Sequence, residues 1–226
     1  MNNTNPNVKD LFLVTTALQD TWPENNKSVL FLGEWCRLYS QKSRWENLSG
    51  EVAPYHWDDR DKLYKDYKYL LKLFEKVLES LVVELNNTHN VRYSSRYWRL
   101  LIGPWLMSFL TIIFDRWSCI KIVVDKYSIE NTKILRGVNL NHVPLCMEHY
   151  SNIVTTDLWN HAIYASILKY LKFEKISFCK HSLDLPKWPK KQATKKRDII
   201  FRIKHFIVNC LSFFSRNKNY FFISTY

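Results

Sequence analysis

The sequence predicts an α/β fold, in which short apolar strands near the N-terminus are followed by long amphipathic helices. Two apolar runs predict buried strands over residues 11–17 and 28–33. Apolar residues then recur every three or four positions over residues 58–86, which is the period of a helix with one buried face. At 226 residues and 46% hydrophobic composition, the chain can bury a core as one or two domains.

The middle of the chain predicts a second helix and a further strand. The helical region spans residues 95–126, and residues 133–138 predict a short strand. Gly103 and Pro104 fall inside the helical region. Because proline has no backbone N–H to donate, we expect this helix to be strained or broken there.

The last predicted elements bear on how the chain is organised. Residues 156–171 predict a third helix, with Thr155, Thr156 or Asp157 as its cap. Residues 220–225 predict another strand, directly before the last residue. A parallel strand needs a connection and a neighbour, so we expect an incomplete, Rossmann-like domain in the N-terminal part of a longer protein.

The composition excludes several classes of function. Four glycines are few for this length, and neither a GxGxxG nor a GxxxxGK[ST] pattern occurs, so P-loop chemistry is not expected. The five cysteines are odd in number and form no CxxC pair, which predicts reduced thiols in a cytoplasmic protein rather than a disulfide framework or a zinc site. We therefore expect no metal and no cofactor.

Most of the positive charge lies near the C-terminus. Residues 187–218 contain ten Lys or Arg residues and one acid, a local charge of +9 out of +12. The predicted organisation is a domain over residues 1–185, a basic linker over 186–198, and an amphipathic helix with the start of a second domain over 199–226. This C-terminal segment could lie on an anionic membrane, bind nucleic acid, or be a solvated linker before an ordinary core helix.

Tryptophan is concentrated in blocks that also carry charged or polar residues. Seven of the nine tryptophans lie in such blocks: Trp22, Trp35, Trp57, Trp98, Trp105, Trp117 and Trp159. Rigid aromatic rings beside titratable groups suit the binding of a polar ring-shaped ligand, such as a sugar or a nucleotide. The alternative is that each tryptophan lies at the edge of the core with its indole N–H bonded outward.

Two candidate clusters follow the two predicted N-terminal strands. They consist of Gln19, Asp20 and Trp22 after the first strand, and Glu34, Trp35 and Arg37 after the second. In open α/β sheets the loops that leave the carboxyl ends of the strands form the ligand crevice. We therefore expect both clusters to contribute to a binding site.

The densest chemical cluster immediately precedes the first long helix. It consists of His56, Trp57, Asp58, Asp59 and Arg60. These groups could supply a general base, a metal-binding pair or a phosphate clamp. The alternative is that Asp58 caps the helix, Arg60 pairs with an acid and His56 is an ordinary loop histidine.

Two further groups are candidates for binding substrate. Asp157, Asn160 and His161 open the third helix, where a spacing of four places Asp157 and His161 on one face for a shared ligand or a simple pair. Arg96 and Arg99 could hold a diphosphate, although such arginines commonly pair with acids.

Seven ordered blocks lie within residues 11–171: FLVTTALQDTW, VLFLGEWCRLYS, PYHWDDR, DYKYL, RYWRLLIGPWL, FDRW and DLWNH. In these blocks the chain resembles transferases of bacterial O-antigen and surface-polysaccharide gene clusters. The final FFISTY resembles the start of that family's next domain.

The resemblance implies a two-domain fold of glycosyltransferase-B type, in which this chain is the N-terminal, acceptor-side domain. It implies transfer of a sugar from a nucleotide-activated donor to a glycan or lipid-linked acceptor, in the cytoplasm or at the inner membrane, without nucleic acid. Asp58, Asp59 and His56, then Glu34, are the candidate bases, and Arg60, Arg96 and Arg99 the candidate phosphate or acceptor contacts. The alternative is a non-catalytic membrane-surface or interaction module that uses the basic C-terminal segment.

Overall fold

A computed structural model describes residues 10–24, 27–136, 144 and 146–180 of the chain. These residues form two compact units. The sheet unit contains described residues 10–59 and 116–180, and the hairpin unit contains residues 60–115. The basic linker, the amphipathic segment and the strand that we predict beyond residue 185 all lie outside the described residues.

The sheet unit is built on five parallel strands. They are β1 (Leu11–Val14), β2 (Val29–Phe31), β3 (Gly50–Val52), β4 (Ile129–Leu135) and β5 (Ile176–Cys179). The strand order is β3-β2-β1-β4-β5, and every neighbouring pair is parallel. The chain therefore moves outward from β1 in one direction, returns, and continues on the other side, as in doubly wound α/β sheets. The predicted α/β class is confirmed.

The two central strands are the ones that the sequence predicts best. All residues of β1 and β2 are buried, in the register Leu13 opposite Leu30. Continuous apolar runs are typical of parallel strands that are covered on both faces. Both strands are shorter than predicted, because the chain turns away from the sheet directly after Val14 and Phe31.

The remaining strands carry a weaker sequence signal. Strand β4 begins at Ile129, four residues before the predicted start, because Glu130 and Asn131 interrupt its apolar pattern. Strands β3 and β5 were not predicted. They form the two edges of the sheet and are largely accessible, so their sequences show little hydrophobic patterning.

The sheet unit also contains short helices and one well-capped helix. These are α1 (Lys42–Trp45), α4 (Met147–Ile153) and α5 (Asp157–Tyr170). Of the three predicted caps for α5, the structure uses Thr156, whose hydroxyl accepts a hydrogen bond from the N–H of Trp159 at 3.3 Å.

The hairpin unit consists of helix α2 (Arg60–His89) and residues 95–115 of helix α3 (Ser95–Lys126). The two helices run antiparallel, since Tyr69 contacts Phe114 near one end and the Trp98 indole donates to Asn86 near the other. The predicted helix over residues 58–86 is confirmed, with a start two residues later.

No helix within the described residues is long and apolar enough to cross a membrane.

The predicted break at Pro104 is wrong, because α3 continues through it. A proline at this position removes the hydrogen bond that the Leu100 carbonyl would accept. Both Pro104 and Leu100 are exposed, so water can hydrate that carbonyl. The packing of buried residues in the following turn, Leu106 and Leu110, holds the helix together.

Candidate functional site

The segment that leaves β1 anchors two of the predicted tryptophans. The Trp22 indole donates to the carbonyl of Thr16 at 3.0 Å, and the Trp35 indole donates to the carbonyl of Thr15 at 3.1 Å. The carbonyls of two successive residues, Thr15 and Thr16, thus accept hydrogen bonds from tryptophans in two different loops. The loops that follow β1 and β2 therefore meet at the carboxyl edge of the sheet, as the topology requires.

The two rings differ in accessibility. Trp22 is 2% exposed and packs edge-on against Phe31, so protein atoms cover its ring. Trp35 is half-buried, and Gly33 allows its close approach, since a Cβ at that glycine would lie 2.2 Å from the Trp35 ring. The Trp22 ring is structural, whereas Trp35 keeps part of its surface accessible.

A row of aromatic rings connects the second loop to the third. Trp35 packs edge-on against Tyr55 with ring centroids 6.2 Å apart, and Tyr55 packs against Trp57 at 6.1 Å. His56 is buried and lies 4.7 Å from the Trp57 ring. These residues follow β3, so the predicted His–Trp–Asp–Asp block also lies at the carboxyl edge. The sequence predicts this block as a candidate site, but it does not predict the strand β3 that precedes it.

The carboxylates of this edge have different environments. Asp58 and Asp59 are exposed at the end of the third loop. Both carboxylate oxygens of Glu34 accept hydrogen bonds from Arg37, at 2.6 Å, so that Glu34 is held in an ion pair. The guanidinium of Arg37 also lies 5.3 Å from the Trp45 ring.

Asp157 is a half-buried carboxylate of the site. Its Oδ1 accepts the N–H of Ala17, at 3.0 Å, and so joins the start of α5 to the segment after β1. Burial raises the pKa of Asp157, and the hydrogen bond from Ala17 opposes that shift. A carboxylate with a raised pKa is better suited to accept a proton near neutral pH than an ordinary one.

Cys36 lies close to the same carboxylates but is not an active nucleophile. Burial raises its pKa to about 12, and the negative charges of Asp157 and Glu34 add to the shift. Its thiol donates to the carbonyl of Val14 at 3.4 Å. Since the thiolate is the reactive form, Cys36 is a packed and protonated thiol.

Asn160 and His161 fasten helix α5. The Asn160 amide donates to the carbonyls of Val154 and Thr156, and its oxygen accepts from Arg116 at 2.8 Å. His161 accepts the N–H of Leu135 at Nε2, 3.1 Å away, at the end of β4. Asp157 thus bonds to the segment after β1 and His161 to the last residue of β4, and the two side chains do not bond to one another.

Sequence reasoning missed two cations at this edge. The Lys133 ammonium donates to the carbonyl of Trp22 at 3.0 Å. Burial raises the pKa of the Cys179 thiol, the charge of Lys133 opposes this shift, and the charge of Asp20 adds to it. Lys133 was not recognised as a candidate because the sequence predicts a strand that begins at this residue, whereas binding groups are expected after the end of a strand.

Arg44 is the second missed cation. Its guanidinium donates to the side-chain oxygen of Gln19 at 3.0 Å and lies 5.8 Å from the Trp22 ring. An open cleft next to it is lined by Pro23, Glu24, Ser43, Arg44 and Asn47. The block SRW, with arginine beside tryptophan, was the available signal.

The other predicted arginines belong to the hairpin unit. Arg60 and Arg96 are exposed there. Arg99 donates to both carboxylate oxygens of Glu75 and lies 5.5 Å from the Phe74 ring. The hydrogen bonds of this pair lower the pKa of Glu75 and raise the pKa of Arg99. Arg99 therefore matches the alternative interpretation of these arginines, in which the side chain pairs with an acid.

These observations define a class of protein: an α/β domain whose aromatic and ionisable groups meet at the carboxyl edge of a doubly wound parallel sheet. The family model described as LIC12162 family transferase matches residues 11–226, so the chain belongs to this family of transferases. The transferase character implied by the resemblance is thereby supported. Neither the curated proteins nor the solved structures contain a match to the chain.

Proposed function

We propose that this chain is the acceptor-side part of a glycosyltransferase-B type enzyme that builds bacterial surface polysaccharide, such as the O-antigen of lipopolysaccharide. The observation that carries the proposal is the row of rings at the carboxyl edge. Trp35 is held by the Thr15 carbonyl and contacts Tyr55, so a rigid and partly open aromatic wall lies beside carboxylates. Such walls suit the apolar faces of sugar rings.

The proposed reaction is a displacement at the anomeric carbon of a nucleotide sugar. An acceptor hydroxyl oxygen forms a bond to that carbon, and the bond from the carbon to the diphosphate oxygen breaks. The hydroxyl proton passes to a carboxylate or histidine, and the nucleoside diphosphate leaves with the bonding electron pair. Cationic groups stabilise the charge that develops on the diphosphate.

We rank the candidate bases by their accessibility and by the partners of their carboxylates. Asp58 is first because it is exposed and follows the aromatic row after β3, with Asp59 next to it. Glu34 is less suited because Arg37 occupies both of its oxygens. Asp157, which the sequence predicts as a binding residue, becomes a second candidate because it is half-buried and bonds to the segment after β1.

The binding residues follow from the same arrangement. Trp35 and Trp57 would contact sugar rings, and Asp20 and Gln19 would accept or donate hydrogen bonds to hydroxyls. Arg44 and Lys133 supply positive charge at the same edge. Arg60 and Arg96, in the hairpin unit, stay candidates for phosphate or acceptor contacts.

The test is a sugar-transfer assay with the purified natural protein, radiolabelled nucleotide sugars and a lipid-linked glycan acceptor. We expect Asp58→Asn to lower the transfer rate by about 100-fold or more, which is the usual contribution of a positioned base. Glu51→Gln is the matched control, because Glu51 is an exposed carboxylate on β3, before the aromatic row. Full activity of the Asp58 variant would remove this residue as the base. Absence of transfer from every nucleotide sugar would reject the proposed reaction.

A further inference from the structure

The beginning of α3 and the segment before it expose large apolar side chains. Tyr93 and Tyr97 are 46% and 43% exposed, and Leu100 and Leu101 are 74% and 61% exposed. The rings of Tyr93 and Tyr97 lie 4.2 Å apart, and spacings of three and four place Tyr97 beside both leucines. These side chains form one continuous surface, and such surfaces mark interaction sites.

The same surface carries unpaired positive charge. Arg92 and Arg96 are exposed, and neither makes an ion pair within the part of the chain that the structure describes. Arg99, by contrast, is engaged by Glu75. Residues 85–101 contain no acid, so the charges of Arg92 and Arg96 are not neutralised by neighbours in the sequence.

We propose that this surface binds an anionic phospholipid membrane. We name it the hairpin-tip patch; it consists of Arg92, Tyr93, Arg96, Tyr97, Leu100 and Leu101. The leucines would enter the boundary between head groups and acyl chains, the tyrosine rings would lie at head-group level, and the arginines would contact lipid phosphates. The patch contains none of the residues at the carboxyl edge of the sheet, and it shares only Arg96 with the proposed sugar-transfer site. Vesicle binding is measured without any sugar substrate, so its outcome does not depend on whether transfer occurs.

The composition of the patch favours a lipid surface over a protein partner. Tyrosine is enriched at membrane–water interfaces, and leucine with flanking basic residues is typical of interfacial anchors. Leucine is under-represented among the residues that dominate protein–protein binding energy. Stable membrane attachment needs two signals, and the basic segment over residues 187–218 offers a second one in the same chain.

The test measures flotation of the full chain with vesicles of phosphatidylcholine and phosphatidylglycerol, and with vesicles of phosphatidylcholine alone. We expect binding to the anionic vesicles. We expect Arg92→Gln with Arg96→Gln to weaken it about 30-fold, which corresponds to about 1 kcal/mol for each arginine. Leu100→Ser with Leu101→Ser should weaken binding at least about tenfold, because the serines lose the apolar insertion.

The matched control is Lys65→Gln with Lys72→Gln, which removes two exposed positive charges from α2 and leaves the patch unchanged. Circular dichroism of every variant confirms that the helices are retained. The proposal is overturned if the wild-type chain does not bind anionic vesicles or binds neutral ones equally well. It is also overturned if the patch variants bind like the lysine control. Loss of a dimer in the leucine variant without vesicles would instead assign the patch to a second copy of this chain.

Discussion

The sheet unit and the hairpin unit use the same residue types in different ways. Both contain tryptophans beside charged residues, and both use an indole N–H as a donor. In the sheet unit the Trp22 and Trp35 indoles bond to backbone carbonyls, and so fix the loops of the carboxyl edge. In the hairpin unit the Trp98 indole bonds to the side chain of Asn86 on the neighbouring helix.

A tryptophan next to charged residues therefore does not by itself mark a binding site. What matters is whether the ring is fixed and still partly open. Trp35 meets both conditions, whereas Trp22 is fixed and covered. The arginines show a similar contrast, because Arg99 is engaged by Glu75 while Arg96 is left for another partner.

Loss of the Trp22 indole bond should destabilise the protein more than loss of the Trp98 indole bond. Trp22→Phe leaves the buried Thr16 carbonyl without its donor, and we expect a loss of about 1–3 kcal/mol beyond the effect of the smaller ring. Trp98→Phe should cost less, because the Asn86 oxygen still accepts the N–H of Tyr93 at 3.0 Å. Urea denaturation of both variants measures the difference. An equal loss would show that backbone and side-chain anchors contribute alike.

The next effect concerns pH and separates stability from function at Asp157. Its pKa is raised in the folded state, so folding retains a proton that the unfolded chain releases, and stability falls as pH rises from the ordinary aspartate pKa through the raised one. Asp157→Asn removes this decline. At neutral pH we expect it to gain less than about 1 kcal/mol, since the half-buried carboxylate is partly screened.

Denaturation of both proteins across acidic to neutral pH checks this expectation. Asn can still accept the N–H of Ala17, so the substitution changes the charge and keeps the anchor. A more stable variant with lower transfer activity would mark Asp157 as a functional carboxylate, because functional sites commonly reduce stability. A variant with the same pH dependence as the wild type would show that Asp157 does not cause the decline.

The smallest effect is expected in the hairpin unit. Glu75→Gln breaks the pair with Arg99, and both partners are exposed, so water and salt screen the interaction. The pKa of Glu75 is lowered, so any contribution is present at neutral pH and is lost as pH falls through the lowered pKa. We expect no resolvable change in the urea midpoint. A clear, salt-sensitive loss would show that this pair holds the hairpin together.

Much of the fold could be predicted because its signals are local. The runs at β1 and β2 are apolar throughout, and α2 has a regular spacing of apolar residues. The edge strands β3 and β5 could not be predicted, because an accessible strand needs no hydrophobic pattern. Pro104 misled the prediction because local propensity is overridden by packing further along the same helix.

Part of the candidate site could also be predicted, because its polar clusters directly follow strands that the sequence predicts. The polar clusters after β1 and β2 lie where parallel topology places them, at the carboxyl edge. Arg44 and Lys133 were missed because their roles depend on contacts with Gln19 and Trp22, which lie 25 and 111 residues away along the chain. No spacing in the sequence expresses such contacts.

The central strands and the long helices followed from the sequence alone, because a hydrophobic period acts over a few residues. For the cap of α5 the sequence narrowed the candidates to three neighbouring residues, and the structure selected Thr156. The tertiary structure alone decided the strand order, the accessibility of each tryptophan and the partner of each ionisable group. Its bond between Ala17 and Asp157 joins residues 140 positions apart. Such contacts form only when the whole sheet is assembled, since their geometry depends on every element between them.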